Sequence, residues 1–388
     1  MRVGIKTTVA LAAVGITALA GCSSSNNSSS GSSAATGAAT ATSSASSTAG
    51  SSAASSSGGA VDGKGAKVGI ILPDTQSSNR WVAADPVALQ AECKKVNLNC
   101  DIQNGNGSAA KQKTIAEKMA ASGIKVLMLV NLDPASGATI EQEATKNNIT
   151  VIDYDRLTPG GGAALYVSFD NTKVGEVQGQ TLVKCPQVAG QKVVKYVDID
   201  GAPTDNNATL FAAGYDSVLG KTAGWKRVGK QTGQWDAKVA STVFNSFIRK
   251  NPDIKAVMVA NDTMAGAVIA NLSNLKLNGK VAVSGQDASP EGLQHIMDGD
   301  QCFTIYKPSK LEAVAAVDAA ALLANGEAPK TTETTKDPKT GMEVPSILFT
   351  PTAITKDKVA TPIDDGYTAK NQTCTGKYAA LCTKAGVK

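Results

Sequence analysis

Residues 151–171 read VIDYDR, then a glycine-rich turn, then LYVSFDN. Two short β-rich runs each stop in charged or amide side chains, Asp155 with Arg156 and Asp170 with Asn171. An apolar strand that ends in hydrogen-bonding groups delivers them to one edge of a sheet. That edge reads as a binding cleft.

Upstream, KVGIIL from Lys67 to Leu72 reads as a strand ending at Pro73 and Asp74. Asn79-Arg80-Trp81 then open a helix predicted to run to about Val96, which puts Arg80 and Trp81 at the same edge as Asp155. A strand beginning at Asp101, a helix from Lys111 to Ser122, a strand from Val126 to Val130 and a helix from Ala138 to Asn147 lead back to Val151. Downstream the alternation restarts. Helices are predicted over 173–183, 206–219, 237–250, 264–275, 291–297 and 311–324, with strands over 193–197, 226–229, 256–259, 281–284, 303–306 and, last, 346–350. Such alternation predicts parallel sheets with helices on both faces, and the part from Lys64 onward exceeds the usual size of one core. The expected fold class is therefore α/β, with two similar lobes.

The first residues follow another logic. Arg2 and Lys6 precede an apolar run from Val9 to Leu19, which closes in Ala20-Gly21-Cys22, as a secretory signal does. The run is shorter than the roughly 20 residues a membrane span needs. Its ending resembles the bacterial lipobox, which implies cleavage after residue 21 and a lipid on Cys22. Residues 23–63 are almost wholly Ser, Ala, Gly, Thr and Asn and read as a flexible tether. The formal charge of +5 includes Arg2 and Lys6, and the remaining basic residues are scattered, so nothing points to a nucleic-acid partner. Seven cysteines less Cys22 leave an even number in an exported chain, which favours disulfides. Pairing of the near neighbours Cys93 with Cys100 and Cys374 with Cys382 leaves Cys185 with Cys302, although spacing alone does not fix connectivity. No C-x-x-C occurs and His295 is the one histidine, so neither a metal nor another cofactor is expected.

Strand ends repeat one kind of residue: Asp155-Arg156, Asn261-Asp262, Gln286-Asp287 and Lys307, with Asp205-Asn206-Asn207 opening a helix. Helix capping accounts for some of the Asp and Asn but not for Arg156, Gln286 or Lys307. Planar amides, carboxylates and guanidinium groups suit a neutral polyol, whose hydroxyls both donate and accept. Aromatic residues make up only 4% of the chain, so Trp81 at one edge and Trp235 in TGQWD carry weight as faces for a sugar ring, with Trp225 read as ordinary packing. No G-x-S-x-G is present, and His295 lies in a helix with no nucleophile nearby, in a capping or solvent-facing role. GYDSVLGKT at 214–222 does not fit a phosphate loop.

Together these segments resemble the periplasmic sugar-binding proteins of bacterial ABC importers, and among them those for D-xylose. The resemblance runs from about Val68 to Gly366. It is carried in order by NRW at 79–81, YDR at 154–156, SFDN with VGE at 168–176, DNNA at 205–208, QW at 234–235, ND at 261–262, SGQDA at 284–288 and YKP at 306–308. It implies three crossings between lobes, near Asp170, Pro308 and Thr350, so that 64–170 with 308–349 form one lobe and 171–307 with 350–388 the other lobe and a tail. It further implies that Arg80, Asp155, Arg156, Asp205, Asn207, Asn261, Asp287 and Lys307 bind sugar hydroxyls while Trp81 and Trp235 stack on the ring. The expected partners are a monosaccharide, D-xylose favoured, an ABC permease with its ATPase, and the membrane through Cys22. A monomer without enzymatic activity, on the outer face of the cytoplasmic membrane, is expected. A binding protein for glucose, galactose or arabinose, a surface receptor that signals through a partner, and an exported sugar-processing enzyme using Asp155 and Asp287 remain as alternatives.

Overall fold

The computed structural model describes residues 61–388. The expected signal, Cys22 and nearly all of the Ser-rich tether lie outside the described residues.

The first lobe is built from β1 (Lys67–Leu72), α1 (Arg80–Ala83), α2 (Asp85–Lys95), β2 (Asn99–Asn104), α3 (Ala109–Ala121), β3 (Val126–Leu129), α4 (Pro134–Lys146), β4 (Thr150–Tyr154) and β5 (Leu165–Phe169). The second takes α5 (Asn171–Leu182), β6 (Val194–Asp200), α6 (Asn206–Leu219), β7 (Trp225–Thr232), α7 (Ala237–Lys250), β8 (Ala256–Val259), α8 (Asp262–Asn274), β9 (Ala282–Val283), α9 (Pro290–Asp298) and β10 (Thr304–Tyr306). The chain returns to the first lobe for α10 (Ser309–Ala324), β11 (Glu333–Lys336) and β12 (Glu343–Phe349). It ends in the second with β13 (Thr352–Ile354), α11 (Ala360–Asp364), α12 (Lys370–Thr373) and α13 (Tyr378–Lys384).

The first sheet has the order β11-β12-β5-β4-β3-β1-β2 and is parallel except for β11. The second, β7-β6-β8-β9, is parallel throughout. A strand buried on both faces must be apolar at successive positions, and β3, β8 and, after Lys67, β1 are. Packed against the first sheet are α2 and α10 on one face and the apolar sides of α3 and α4 on the other. The second sheet is covered by α7 and α8 on one side and by α5 and α6 on the other. α5 and α6 approach so closely that a Cβ on Gly175 would lie 2.0 Å from the Phe211 carbonyl oxygen, and one on Gly214 2.2 Å from that of Thr172. That approach brings Asn171 and Asn207, at the starts of the two helices, within reach of each other. The β10–β13 pair is antiparallel and joins the end of β9 through backbone bonds of Ile305 with Gly285 and Asp287. The chain thus crosses between lobes three times, after β5, after β10 and after β12.

Several details differ from the sequence expectation. The helix predicted from Asn79 to Val96 is broken at Ala84, because Pro86 offers no N–H to the preceding turn and crowds it. The strand expected at 346–350 starts earlier, at Glu343, and is not the last, since β13 follows. β11, ETTK, went unrecognised because it is polar and exposed, as an edge strand is. His295 is half-buried rather than solvent-facing, with its Nδ1 buried and without a hydrogen-bond partner. Among the described residues no helix is long and apolar enough to cross a membrane.

Disulfides join Cys93 to Cys100, Cys185 to Cys302 and Cys374 to Cys382, none of them between lobes. The second spans a sequence separation of 117 residues, and closing so long a loop restricts the unfolded chain most. The double variant Cys185→Ser/Cys302→Ser is expected to lose about 2–5 kcal/mol of stability in urea denaturation. An unchanged urea midpoint would overturn this account.

Candidate functional site

The cleft lies where strands of both sheets end and the chain turns into the following helices, the place where open α/β sheets present their chemistry. Its base is an ionic cluster around Arg80. The Arg80 guanidinium is buried and donates to three carboxylates: Nε and Nη2 to Asp85 at 3.0 and 2.7 Å, Nη2 to Glu312 at 2.8 Å, and Nη1 to Asp155 at 2.5 Å. Burial opposes its charge, but Asp155, Asp85 and Glu312 outweigh that and hold its pKa well above the ordinary value. Arg80 therefore stands in the cleft wall with most of its N–H groups committed. The Trp81 ring lies 4.3 Å from the Arg80 Cζ.

Asp155 takes a left-handed backbone, φ +64°, held by what surrounds it. Its carbonyl accepts from Ser168 Oγ at 2.7 Å and from Asn207 Nδ2 at 2.9 Å, and its N–H donates to the Val167 carbonyl at 2.8 Å. Burial pushes its carboxyl up, but Arg80, Lys307 and Arg156 together hold it below the usual range, so Asp155 stands as an anion behind the cleft wall. Lys307, at the end of β10, sets its Nζ 3.8 Å from Asp155 and 3.9 Å from Asp287, both longer than hydrogen bonds, and 5.4 Å from the centre of the Phe211 ring.

Several direct contacts cross between lobes, among them three at the cleft. Arg156 Nε lies 3.0 Å from Asp205 Oδ2, an ion pair whose angle falls short of a hydrogen bond. Asn207 Nδ2 donates to Asp155 Oδ1 at 3.1 Å as well as to its carbonyl. Asn261 Nδ2 donates to the Ser77 carbonyl at 2.8 Å. Asp205 and Asn261 also cap α6 and α8, accepting from the Asn207 and Met264 N–H groups, so capping and cleft-facing roles coincide in one side chain. Burial raises the Asp205 carboxyl, against the opposing pull of Arg156. Trp235 Nε1 donates to Asp205 at 3.2 Å, and its ring lies edge-on to Phe211, centroids 6.4 Å apart. The indole covers Gly201, where a Cβ would stand 2.0 Å from the ring.

All ten sequence-selected residues line or border this one cleft. Arg80, Trp81, Arg156, Asp205, Asn207, Trp235, Asn261, Asp287 and Lys307 form its wall, and Asp155 reaches it through Arg80, Asn207 and Lys307. Ser77, Ser78, Phe211 and Gln286 complete the wall; of these only Gln286 is expected from the sequence, as a strand-end amide. Phe211 carried a usable signal, since it lies one helical turn after Asn207 and so on the same face. Gln286 lies next to Asp287. Two buried polar atoms in the wall, Trp81 Nε1 and Gln286 Oε1, have no protein partner. One is a donor and the other an acceptor, so a hydroxyl-bearing ligand would satisfy both. Trp225 packs on Tyr196, centroids 5.5 Å apart, away from the cleft. Among the described residues no group of His, Cys, Asp or Glu is arranged to hold a metal ion.

A cleft between two α/β lobes, walled by polar side chains and three aromatic rings, defines a two-lobed small-molecule binding protein. A profile of the periplasmic binding protein domain matches residues 68–328. The D-xylose-binding periplasmic protein of Escherichia coli is 33% identical over 316 residues, covering 79% of this chain and 92% of that protein. A multiple sugar-binding periplasmic receptor of Rhizobium radiobacter is 29% identical over 329 residues, covering 79% and 91%. A carbohydrate-transporter solute-binding protein of Chloroflexus aurantiacus, solved with D-glucose, is 28% identical and superposes with a TM-score of 0.71 over 79% of this chain and 97% of that one. The chain belongs to the periplasmic sugar-binding proteins of ABC transporters.

The ionic base makes stability depend on pH. Burial pushes the Glu312 carboxyl up to about 8, with Arg80 opposing and Asp155 and Asp85 adding to the rise. Its folded pKa lies above the ordinary 4.5, so the folded chain binds the extra proton and this contribution falls as pH rises between those values. Glu312→Gln keeps an acceptor for Arg80 and removes the titration. In urea denaturation the variant should gain on the wild type as pH is raised from about 5 to about 8, whereas a difference independent of pH would overturn the assignment.

Proposed function

We propose that this chain captures a single monosaccharide, D-xylose before others, and presents it to the permease of an ABC importer, held at the membrane by a lipid on Cys22. The observation that carries the sugar reading is the composition of one enclosed wall: Arg156, Asp205, Asn207, Asn261, Asp287 and Lys307 drawn from both lobes, facing Trp81, Phe211 and Trp235. Carboxylate, amide, guanidinium and ammonium groups recognise hydroxyls from fixed directions, and the aromatic faces bury the C–H face of the ring. Xylose is favoured by the likeness to the D-xylose-binding relative. The relatives named for several sugars and for D-glucose keep a hexose as the second reading.

The mechanism follows from linkage. A ligand that touches both lobes binds the closed arrangement more tightly than the open one and shifts the population toward it. Arg156–Asp205 and Asn261–Ser77 bridge the lobes directly, so closure would gain contacts of its own beyond those to the sugar. The closed face is then what a permease distinguishes.

Calorimetric titration with xylose, glucose, galactose, arabinose and ribose tests the reading. Xylose is expected to bind one per chain and the others far more weakly. Asp287→Ala and Trp235→Ala should each weaken xylose binding about 10–100-fold, the loss of a charged hydrogen-bond partner or of ring burial. Absence of binding by any of these sugars would sink the monosaccharide assignment, and tight binding of glucose alone would replace xylose. Metabolic labelling with a fatty-acid analogue, lost in Cys22→Ala, checks the anchor.

A further inference from the structure

The turn after β9 carries two successive non-glycine residues in the left-handed region, Asp287 at φ +90° and Ala288 at φ +46°. A Cβ disfavours that conformation, so it persists only where neighbours fix it from several sides. The Asp287 N–H donates to the Ile305 carbonyl at 2.8 Å, the Ala288 N–H to Thr304 Oγ1 at 3.1 Å and the Ser289 N–H to Asp262 Oδ2 at 2.9 Å. These three supports lie close by in the second lobe. The fourth comes from the C-terminal segment, where Thr368 Oγ1 donates to the Ala288 carbonyl at 2.7 Å.

Thr368 is only 3% exposed, and the ring of its neighbour Tyr367 packs on Tyr306 with centroids 5.1 Å apart. Tyr306 directly precedes Lys307, and its hydroxyl donates to Asp365 at 3.2 Å. Of these two adjacent residues, Thr368 thus holds the backbone next to Asp287, and Tyr367 packs on the side chain next to Lys307. The segment is itself fastened to α9, the helix that follows the turn. Gln294 Nε2 donates to the Thr373 carbonyl at 2.9 Å, Lys377 Nζ and Tyr378 OH donate to Asp298 at 2.8 and 2.7 Å, and Cys374–Cys382 closes the end. The matched family domain stops at residue 328 and does not include it.

We propose that Tyr367 and Thr368 are positioning residues of the ligand site, holding Asp287 and Lys307 in place through Ala288 and Tyr306, so that the C-terminal segment sets sugar affinity. This rests on the sugar-binding reading above. Linkage makes the effect reciprocal: sugar bound in the cleft protects the segment from opening.

Thr368→Val removes the hydroxyl at nearly constant shape, and Thr368→Ser keeps it. Each is titrated with the sugar that the wild type binds, and amide hydrogen exchange of residues 287–289 is followed without sugar. The Val variant should bind about tenfold more weakly, the cost of leaving a buried carbonyl unpaired next to a ligand residue, and should exchange faster at 287–289. The Ser variant should restore both. Wild-type affinity and exchange in the Val variant would overturn the proposal. Should Thr368→Val not fold, Cys374→Ser/Cys382→Ser loosens the segment from its far end. Faster exchange at 287–289 and an affinity about two- to threefold lower then support the proposal, and no change in either overturns it. If the wild type binds no sugar at all, the sugar reading falls, while the exchange data on the unliganded chain still decide the positioning role.

Discussion

Everything at the cleft depends on one buried cation. Arg80 satisfies three buried carboxyl groups, and each comes from a different stretch of chain: Asp85 from the next helix, Asp155 from the end of β4, Glu312 from α10. Removing Arg80 from such a cluster would leave the buried carboxyl groups without their common counter-charge, which is far worse than never having built it. The gain is geometric. Asp155 is presented as an anion at a fixed place, Trp81 is pressed flat beneath the guanidinium, and Tyr154 is tied in through its hydroxyl to Asp85 at 2.7 Å. From that base, Asp155 organises the opposite lobe, since Asn207 donates to both its carbonyl and its carboxylate and in turn accepts from Asn171.

Away from the crossings, where Phe169 and Phe349 pack into the second core, the contacts between lobes are polar and specific, whereas the contacts within each lobe are apolar and extensive. Such an imbalance lets two rigid bodies part and meet without disturbing their cores. The three disulfides respect that division, each lying on one side of it. Rigidity inside the lobes and reversibility between them are what a molecule needs if ligand contact is to be converted into a change of shape.

Much of this was legible in the sequence because local and global signals agree. Unbroken apolar runs such as VLML and AVMV, short and alternating with helical stretches, read as strands buried on both faces, and the polar residues that follow them fall at one edge by topology. That Trp81 and Trp235 border the cleft was readable from their places in the turns and helix starts that follow strands. Other parts were hidden for physical reasons. That Arg80 also anchors an ionic cluster could not be read, because Glu312 stands 232 residues away. β11 offers no apolar pattern, and β13 is too short to show one. Phe211 looks like core on a helix whose apolar face it shares. The contribution of Thr368 is invisible in sequence because it is made to a backbone carbonyl 80 residues away, which no side-chain pattern records.

The return of the chain to the first lobe bears on the order in which the molecule can be made. β6 to β9 and the helices between them are contiguous, so the heart of the second lobe can close as soon as it emerges. The first sheet cannot: β12 sits between β11 and β5, and α10 covers one face, yet both follow the long β6–β10 part of the second lobe in the chain. Until α10 docks, Arg80 lacks Glu312 and the β5 edge stands open. Segments that must wait for distant partners are slow to settle and prone to stick to one another. A chain crossing a membrane from its N-terminus would therefore expose its first half longest, although that half is the first to arrive.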